Sequence, residues 1–172
     1  FESKPGNVPR AVIQWCVDNK YSVRKMPADG DCLYRALGHS MGSTPIVCRQ
    51  HIAESAKNCW KELMDHDPEH RELPSFARET LESGKWGGAQ QIQIFAHTLG
   101  CRVNVHRTEG DPICFGEGGR TIDLLYSNAA GGHGNPDHYD LIWPNGQQRQ
   151  GQLSYEEGDV NAANPNRSKR AR

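Results

Sequence analysis

Apolar residues recur along this chain at two different periods, and the change from one to the other divides it. Behind Pro9, the run Ala11-Val12-Ile13-Gln14-Trp15-Cys16-Val17 has helical spacing, with proline near the first turn where its missing N–H does no harm. Tyr21 to Met26 alternates like a strand and stops at Pro27, after which Ala28-Asp29-Gly30-Asp31 supplies turn formers. From Cys32 to His39, Leu33, Ala36 and Leu37 share one helical face, which predicts Cys32 at a helix N-terminus. Thr44-Pro45 reads as an N-cap followed by an N1 proline. Ile46, Val47, Ile52, Ala53, Ala56, Trp60, Leu63 and Met64 then carry helical spacing to about His66, the longest helix predicted. Shorter helices are predicted from Pro74 to Leu81, closed by Gly84, and from Gly88 to Leu99, closed by Gly100. Beyond Gly100 the period becomes two. Cys101 to His106, Pro112 to Phe115, Ile122 to Tyr126 and Tyr139 to Trp143 read as short strands between Gly, Asn and Asp clusters. Helices first and strands later predict an α+β domain, a small and mainly antiparallel sheet flanked by helices.

A length of 172 residues fits one domain with a real core, and no internal repeat divides it. The composition shifts suggest an N-terminal accessory helix over 1–20, a main domain over 21–144 and a mobile polar and basic tail over 145–172. The helix bearing Trp15 reads either as an accessory surface or as core. The start at Phe1, with neither an initiating Met nor an apolar signal core, reads as an excised piece of a longer chain. Twenty Lys plus Arg against 21 Asp plus Glu leave a net charge of −1, which offers no global footprint for nucleic acid or an anionic membrane. The basic end Asn166-Arg167-Ser168-Lys169-Arg170-Ala171-Arg172 reads as solvated rather than as an RNA contact. The longest apolar runs, such as Ile92 to Ala96, fall far short of the roughly 18–20 residues that span a bilayer. Cysteines 16, 32, 48, 59, 101 and 114 are even in number, yet several sit among helical apolar residues, where a free thiol acts as a small hydrophobe. A reducing, cytosolic setting follows. No Cys-x-x-Cys pair is present and no His-x-x-x-His lies on one predicted helix, so neither a metal nor another cofactor is expected.

The candidate chemistry centres on Cys32. A thiol attacks as thiolate, and a free cysteine has a pKa of about 8.5, so a nucleophilic thiol needs help to ionise. The predicted helix N-terminus offers the positive end of the peptide dipoles, and the Asp29-Gly30-Asp31 turn can aim backbone N–H groups at an oxyanion, with Gly30 permitting the tight backbone. The other need is an imidazole. Of the eight histidines, His51, His66, His70 and His97 lie in predicted helices or their polar ends, and His39 stands two turns along the helix from Cys32. His138 differs: it follows the loop Gly131-Gly132-His133-Gly134-Asn135-Pro136 and directly precedes the strand Tyr139 to Trp143. A period of two places Asp140 beside it, ready to accept the second ring N–H, and sends Tyr139 into packing.

The blocks Asp29-Gly30-Asp31-Cys32-Leu33-Tyr34-Arg35-Ala36, Trp86-Gly87-Gly88 and His138-Tyr139-Asp140 together resemble the ovarian tumour (OTU) family of cysteine deubiquitinases, over Tyr21 to Trp143. The resemblance implies a papain-like fold with Cys32 as nucleophile, His138 as general base and Asp140 as the orienting acid. It implies an oxyanion hole of the backbone amides of Asp29, Gly30, Asp31 and Cys32. The implied reaction is hydrolysis of the isopeptide or peptide bond after the C-terminal Gly-Gly of ubiquitin or a ubiquitin-like modifier. A narrow channel of Trp86, Gly87, Gly88, Gly131, Gly132 and Tyr139 would admit that tail, although Trp86 reads rather as a core anchor. Glu54, Asp65, Glu79, Glu82 and Glu109 are the acidic candidates for the basic residues preceding those glycines. The implied partner is ubiquitin or polyubiquitin, met by a monomer in the cytoplasm, or in the host cytoplasm if the source is a virus or an intracellular bacterium. Two rivals keep part of this reading: a catalytically silent ubiquitin-binding module, and a viral or bacterial papain-like protease that processes its own polyprotein.

Overall fold

In the computed structural model, which describes residues 10–66, 72–107, 110–128 and 137–145, helices occupy the first part of the chain and most strands the second. The order is α1 (Arg10–Asn19), β1 (Tyr21–Arg24), α2 (Cys32–Ser40), α3 (Pro45–Met64), α4 (Leu73–Leu81), α5 (Ala89–Leu99), β2 (Arg102–His106), β3 (Ile113–Phe115), β4 (Thr121–Asn128) and β5 (Asp137–Pro144). Helix starts and stops follow their local chemistry. The Thr44 hydroxyl accepts a hydrogen bond from the Val47 N–H at 3.2 Å, which satisfies one of the otherwise orphaned donors of α3. The stripe Cys48, Ile52, Ala56 and Cys59 turns the same helix inward. Gly100 ends α5 in the left-handed conformation.

The strands form one sheet in the order β1-β5-β4-β2-β3. β2 runs on into an antiparallel pairing with edge strand β3, and the chain then returns on the other side of β2 as β4, which makes β2 and β4 parallel. The pairings of β1 with β5, β4 with β5 and β2 with β3 are antiparallel. Strand β5 begins at Asp137, earlier than its sequence suggests, because β4 runs on to Asn128 and supplies Ser127 opposite His138. His138 is therefore inside the strand rather than ahead of it.

Alternation along the central strands feeds two cores. Leu124, Tyr139 and Leu141 join Leu33, Phe76 and Phe95 in a large cluster between the sheet and the helices that follow β1. Each fully buried side chain of this size contributes about 1.5–3 kcal/mol. The neighbours in sequence, Leu125 and Ile142, face the other way and pack with Val12 and Cys16 of α1. Trp15 stands half-buried at the edge of this second cluster, its ring centroid 5.3 Å from Tyr21 and 4.7 Å from His106. Among the described residues no helix is long and apolar enough to cross a membrane. The tail beyond Asn145 and the loop 129–136 lie outside the described residues.

Candidate active site

The chain leaves β1 at Arg24 beside Leu141 of β5, runs past Asp140, turns at Asp29-Gly30-Asp31 and enters α2 at Cys32. One short connection thus carries both a clamp for the end of β5 and the cysteine. Residue 31 occupies the N-cap position of α2, but its side chain makes no cap bond there. Its carboxylate is engaged elsewhere, with Arg49 and the Gly84 N–H. No side chain caps the first turn of α2, and the positive end of the helix dipole is left at Cys32. Cys32 itself is 1 % exposed.

His138 and Asp140 share one face of β5, two residues apart, and the His138 Nε2 lies 2.9 Å from Asp140 Oδ1. Asp140 is fully buried and anchored from a second element, since Oδ1 also accepts the Met26 N–H at 2.7 Å and Oδ2 meets Lys25 Nζ at 3.3 Å. Burial alone would raise the Asp140 pKa. The hydrogen bonds from His138 and the Met26 N–H, with the charges of His138 and Lys25, hold it below the usual carboxylate range. Burial would likewise lower the His138 pKa, but the hydrogen bond to Asp140 and the interaction with the Cys32 thiol, with the charges of both, lift it to about 9. The remaining ring nitrogen, Nδ1, is buried and makes no well-formed hydrogen bond within the protein. Nε2 is therefore the nitrogen held by the carboxylate, and Nδ1 the one available to exchange a proton with sulfur.

The other predicted residues fall into distinct places. In the turn, the Asp29 amide donates to Pro27 O at 2.9 Å and the Asp31 amide to Asp29 Oδ1 at 3.0 Å, so both are already used. The Cys32 amide makes a long 3.3 Å bond to Asp29 O, and no partner for the Gly30 amide is found among the described residues. Of the four expected oxyanion donors, the Gly30 amide is thus left without a partner among the described residues and the Cys32 amide is held only by that long bond. Gly30 is glycine for lack of space: a Cβ there would lie 1.6 Å from Gly84 O. Trp86 is half-buried and packs on the main core. A Cβ on Gly87 would meet the Tyr34 hydroxyl at 2.7 Å, so this backbone is pressed onto α2. Gly88 has open space around it, and its N–H is held by Gln91 Oε1 at 2.9 Å. Tyr139, expected in the channel, is 5 % exposed and packs in the core against Tyr126, because alternation turns it away from His138. Gly131 and Gly132 lie outside the described residues.

Sequence reasoning missed two features. The first is Arg49, buried on the inward stripe of α3 with its guanidinium 3.8 Å over the Tyr34 ring. A charged residue at a core position of an amphipathic helix was the available signal. The second is a look-alike grouping on the α1 side of the sheet, where His106 Nε2 lies 2.9 Å from Asp123 Oδ1 close to Cys16. Burial and the Asp123 charge both raise the Cys16 pKa, so this thiol stays protonated. His39, also weighed from sequence, is buried against Trp143 and near Arg24, and burial followed by the Arg24 charge lowers its pKa to about 4. All six cysteines are free, five of them buried. Among the described residues no group of three or more His, Cys, Asp or Glu is placed to hold a metal ion.

A helix beginning at a cysteine, packed beside a sheet strand that carries histidine and its carboxylate, defines the papain-like class of cysteine peptidases. Residues 27–135 match the family model described as OTU-like cysteine protease, a span that includes Cys32 and ends short of His138. That is well over half of the 172 residues, and the chain belongs to this family. It is 24 % identical over 140 residues to the deubiquitinase OTUD6B of Xenopus tropicalis, a match covering 73 % of this chain and 47 % of that protein. It is 25 % identical over 123 residues to the putative ubiquitin thioesterase 232R of Invertebrate iridescent virus 6, covering 63 % of this chain and 18 % of that one. The chain thus spans about half the length of the frog relative. Among solved structures, the viral OTU domain protease from Taggert virus superposes with a TM-score of 0.62 at 18 % identity, covering 80 % of this chain and 88 % of that one. The corresponding protease from Qalyub virus gives 0.58 at 25 % identity, with 72 % and 84 % covered.

Proposed function

We propose that this chain is a thiol-dependent deubiquitinase that cleaves the bond after the C-terminal Gly-Gly of ubiquitin or a ubiquitin-like modifier. The observation that carries the chemistry is the division of labour on His138: Nε2 is fixed on buried Asp140 at 2.9 Å, while Nδ1 is left without a bond beside Cys32. The substrate assignment is supported by the names of the two relatives, a deubiquitinase and a putative ubiquitin thioesterase.

In the first step the Cys32 proton passes to His138 Nδ1 and the thiolate attacks the carbonyl carbon of the terminal glycine. The resulting oxyanion takes hydrogen bonds from the amides of Gly30 and Cys32. Collapse of the tetrahedral species breaks the C–N bond, and the Nδ1 proton goes to the departing lysine or α-amine. Water then attacks the thioester with His138 as base, releasing the glycine carboxylate and restoring the thiol. Asp140 accepts from Nε2 throughout and favours the imidazolium. Trp86, Gly87 and Gly88 form one wall of the approach in this reading, with Gly87 pressed onto Tyr34 of α2. The six free thiols, Cys32 among them, suit a reducing compartment, and we place the protein in the cytoplasm.

The test is reaction of the protein with ubiquitin whose C-terminus carries a thiol-reactive electrophile, read by intact mass. A one-to-one adduct in the wild type that disappears in Cys32→Ala is expected. A folded wild type that forms no adduct would overturn the assignment of both substrate and nucleophile.

A further inference from the structure

The proposed oxyanion donors sit in a turn of three residues, and a turn this short does not hold its peptide planes by itself. We propose that Arg49 is a positioning residue for catalysis, whose guanidinium locks the Asp29-Gly30-Asp31 turn in the orientation that lets the Gly30 and Cys32 amides receive the oxyanion. This inference rests on the reading of Cys32 as nucleophile.

The geometry is that of a fork with all three nitrogens engaged. Arg49 Nη2 donates to Gly30 O at 3.1 Å, which fixes the 30–31 peptide plane. Nε and Nη2 donate to Asp31 Oδ1 at 2.9 and 2.6 Å, which fixes the residue immediately before Cys32. Nη1 reaches Thr80 O at 2.9 Å and Nη2 also reaches Lys85 O at 2.7 Å. The Asp31 carboxylate returns the link by accepting the Gly84 N–H at 3.0 Å. The nucleophile turn and the segment 80–85 that leads to Trp86 are therefore bolted to one buried side chain of α3. On the outer side, Arg35 Nη2 pairs with Asp29 Oδ2 at 2.8 Å, while Asp29 Oδ1 holds the Asp31 amide. The turn is gripped at both carboxylates, and the amide left over is that of Gly30. A lysine in place of Arg49 keeps the charge, but its single ammonium cannot satisfy acceptors spread over Gly30, Asp31, Thr80 and Lys85.

An oxyanion hole acts on the tetrahedral species and has no part in simple alkylation of a thiolate, so two reactions of the same sulfur separate this role from a structural one. We would measure hydrolysis of a ubiquitin C-terminal aminocoumarin amide, and Cys32 alkylation by iodoacetamide, for wild type and Arg49→Lys. The expected result is a kcat lower by about 100-fold, the size of losing one oxyanion donor, with KM and the alkylation rate each within about two-fold of wild type. If Arg49→Lys does not fold, Asp31→Asn, at a partly exposed position, takes its place and is expected to show the same split with a smaller loss. Parallel loss of hydrolysis and alkylation, or no loss of hydrolysis, would overturn the proposal. A folded wild type that neither hydrolyses the amide nor is alkylated at Cys32 would instead remove the reading beneath it, and the clamp with it.

Discussion

His138 sets the pH behaviour of the site. Its pKa is raised above the ordinary 6.5 to about 9, so the imidazolium is favoured at neutral pH and is lost as pH rises through about 9. In the proposed reaction the leaving amine takes that proton, and kcat/KM is expected to fall on an alkaline limb near pH 9. Asp140→Asn removes a charge that supports the imidazolium while leaving an amide oxygen to accept from Nε2. Its alkaline limb should move to lower pH, with activity reduced but retained; complete inactivity would show that the negative charge itself is required. By linkage, His138 stabilises the fold fully below about pH 6.5, and that contribution disappears as pH climbs past about 9. At this scale the candidate Cys32, His138 and Asp140 were legible from residue type and spacing. The Lys25 and Met26 contacts to Asp140 were not, because they depend on the antiparallel pairing of β1 with β5, strands more than a hundred residues apart in sequence.

Helices were read well because their signals are local. Thr44, Pro45 and Gly100 mark ends through hydrogen bonds and φ angles that involve only neighbouring residues. Thr44→Ala is expected to lower the unfolding free energy by about 1 kcal/mol in denaturant titration, through loss of the cap to Val47, with kinetics at Cys32 unchanged. Strand limits were read less well. The extension of β5 back to Asp137 requires β4 as partner, and no property of Asp137 or His138 alone announces it. Tyr139 shows the same dependence: its place in the core comes from the register, which turns every second residue of β5 toward the helices. Arg49 shows the limit of an amphipathic pattern. A charge on the inward stripe of α3 can be read as a flaw until the acceptors at Gly30, Asp31, Thr80 and Lys85 are seen around it.

For the molecule as a whole, the sheet carries a core on each side, and Ile142, on the strand that also carries His138 and Asp140, is buried in the smaller one around α1. Ile142→Ala should therefore cost roughly 2–5 kcal/mol of stability, seen as a lower denaturation midpoint, while kcat at temperatures where the protein is folded stays near wild type. A collapse of kcat in the folded variant would show that the second core aligns the site. By itself the amino-acid sequence determined the α+β class, the helix ends, the kind of chemistry and the candidate residues for it, since these follow from periodicity, capping and side-chain type over short distances. Only the tertiary structure decided what surrounds each histidine–aspartate pair, which turn amide is left without a partner among the described residues, and what holds the turn. Those outcomes depend on strand pairing and on burial by distant segments, which bring Asp140 to Met26 and Arg49 to Gly30, while leaving Cys16 protonated beside Asp123.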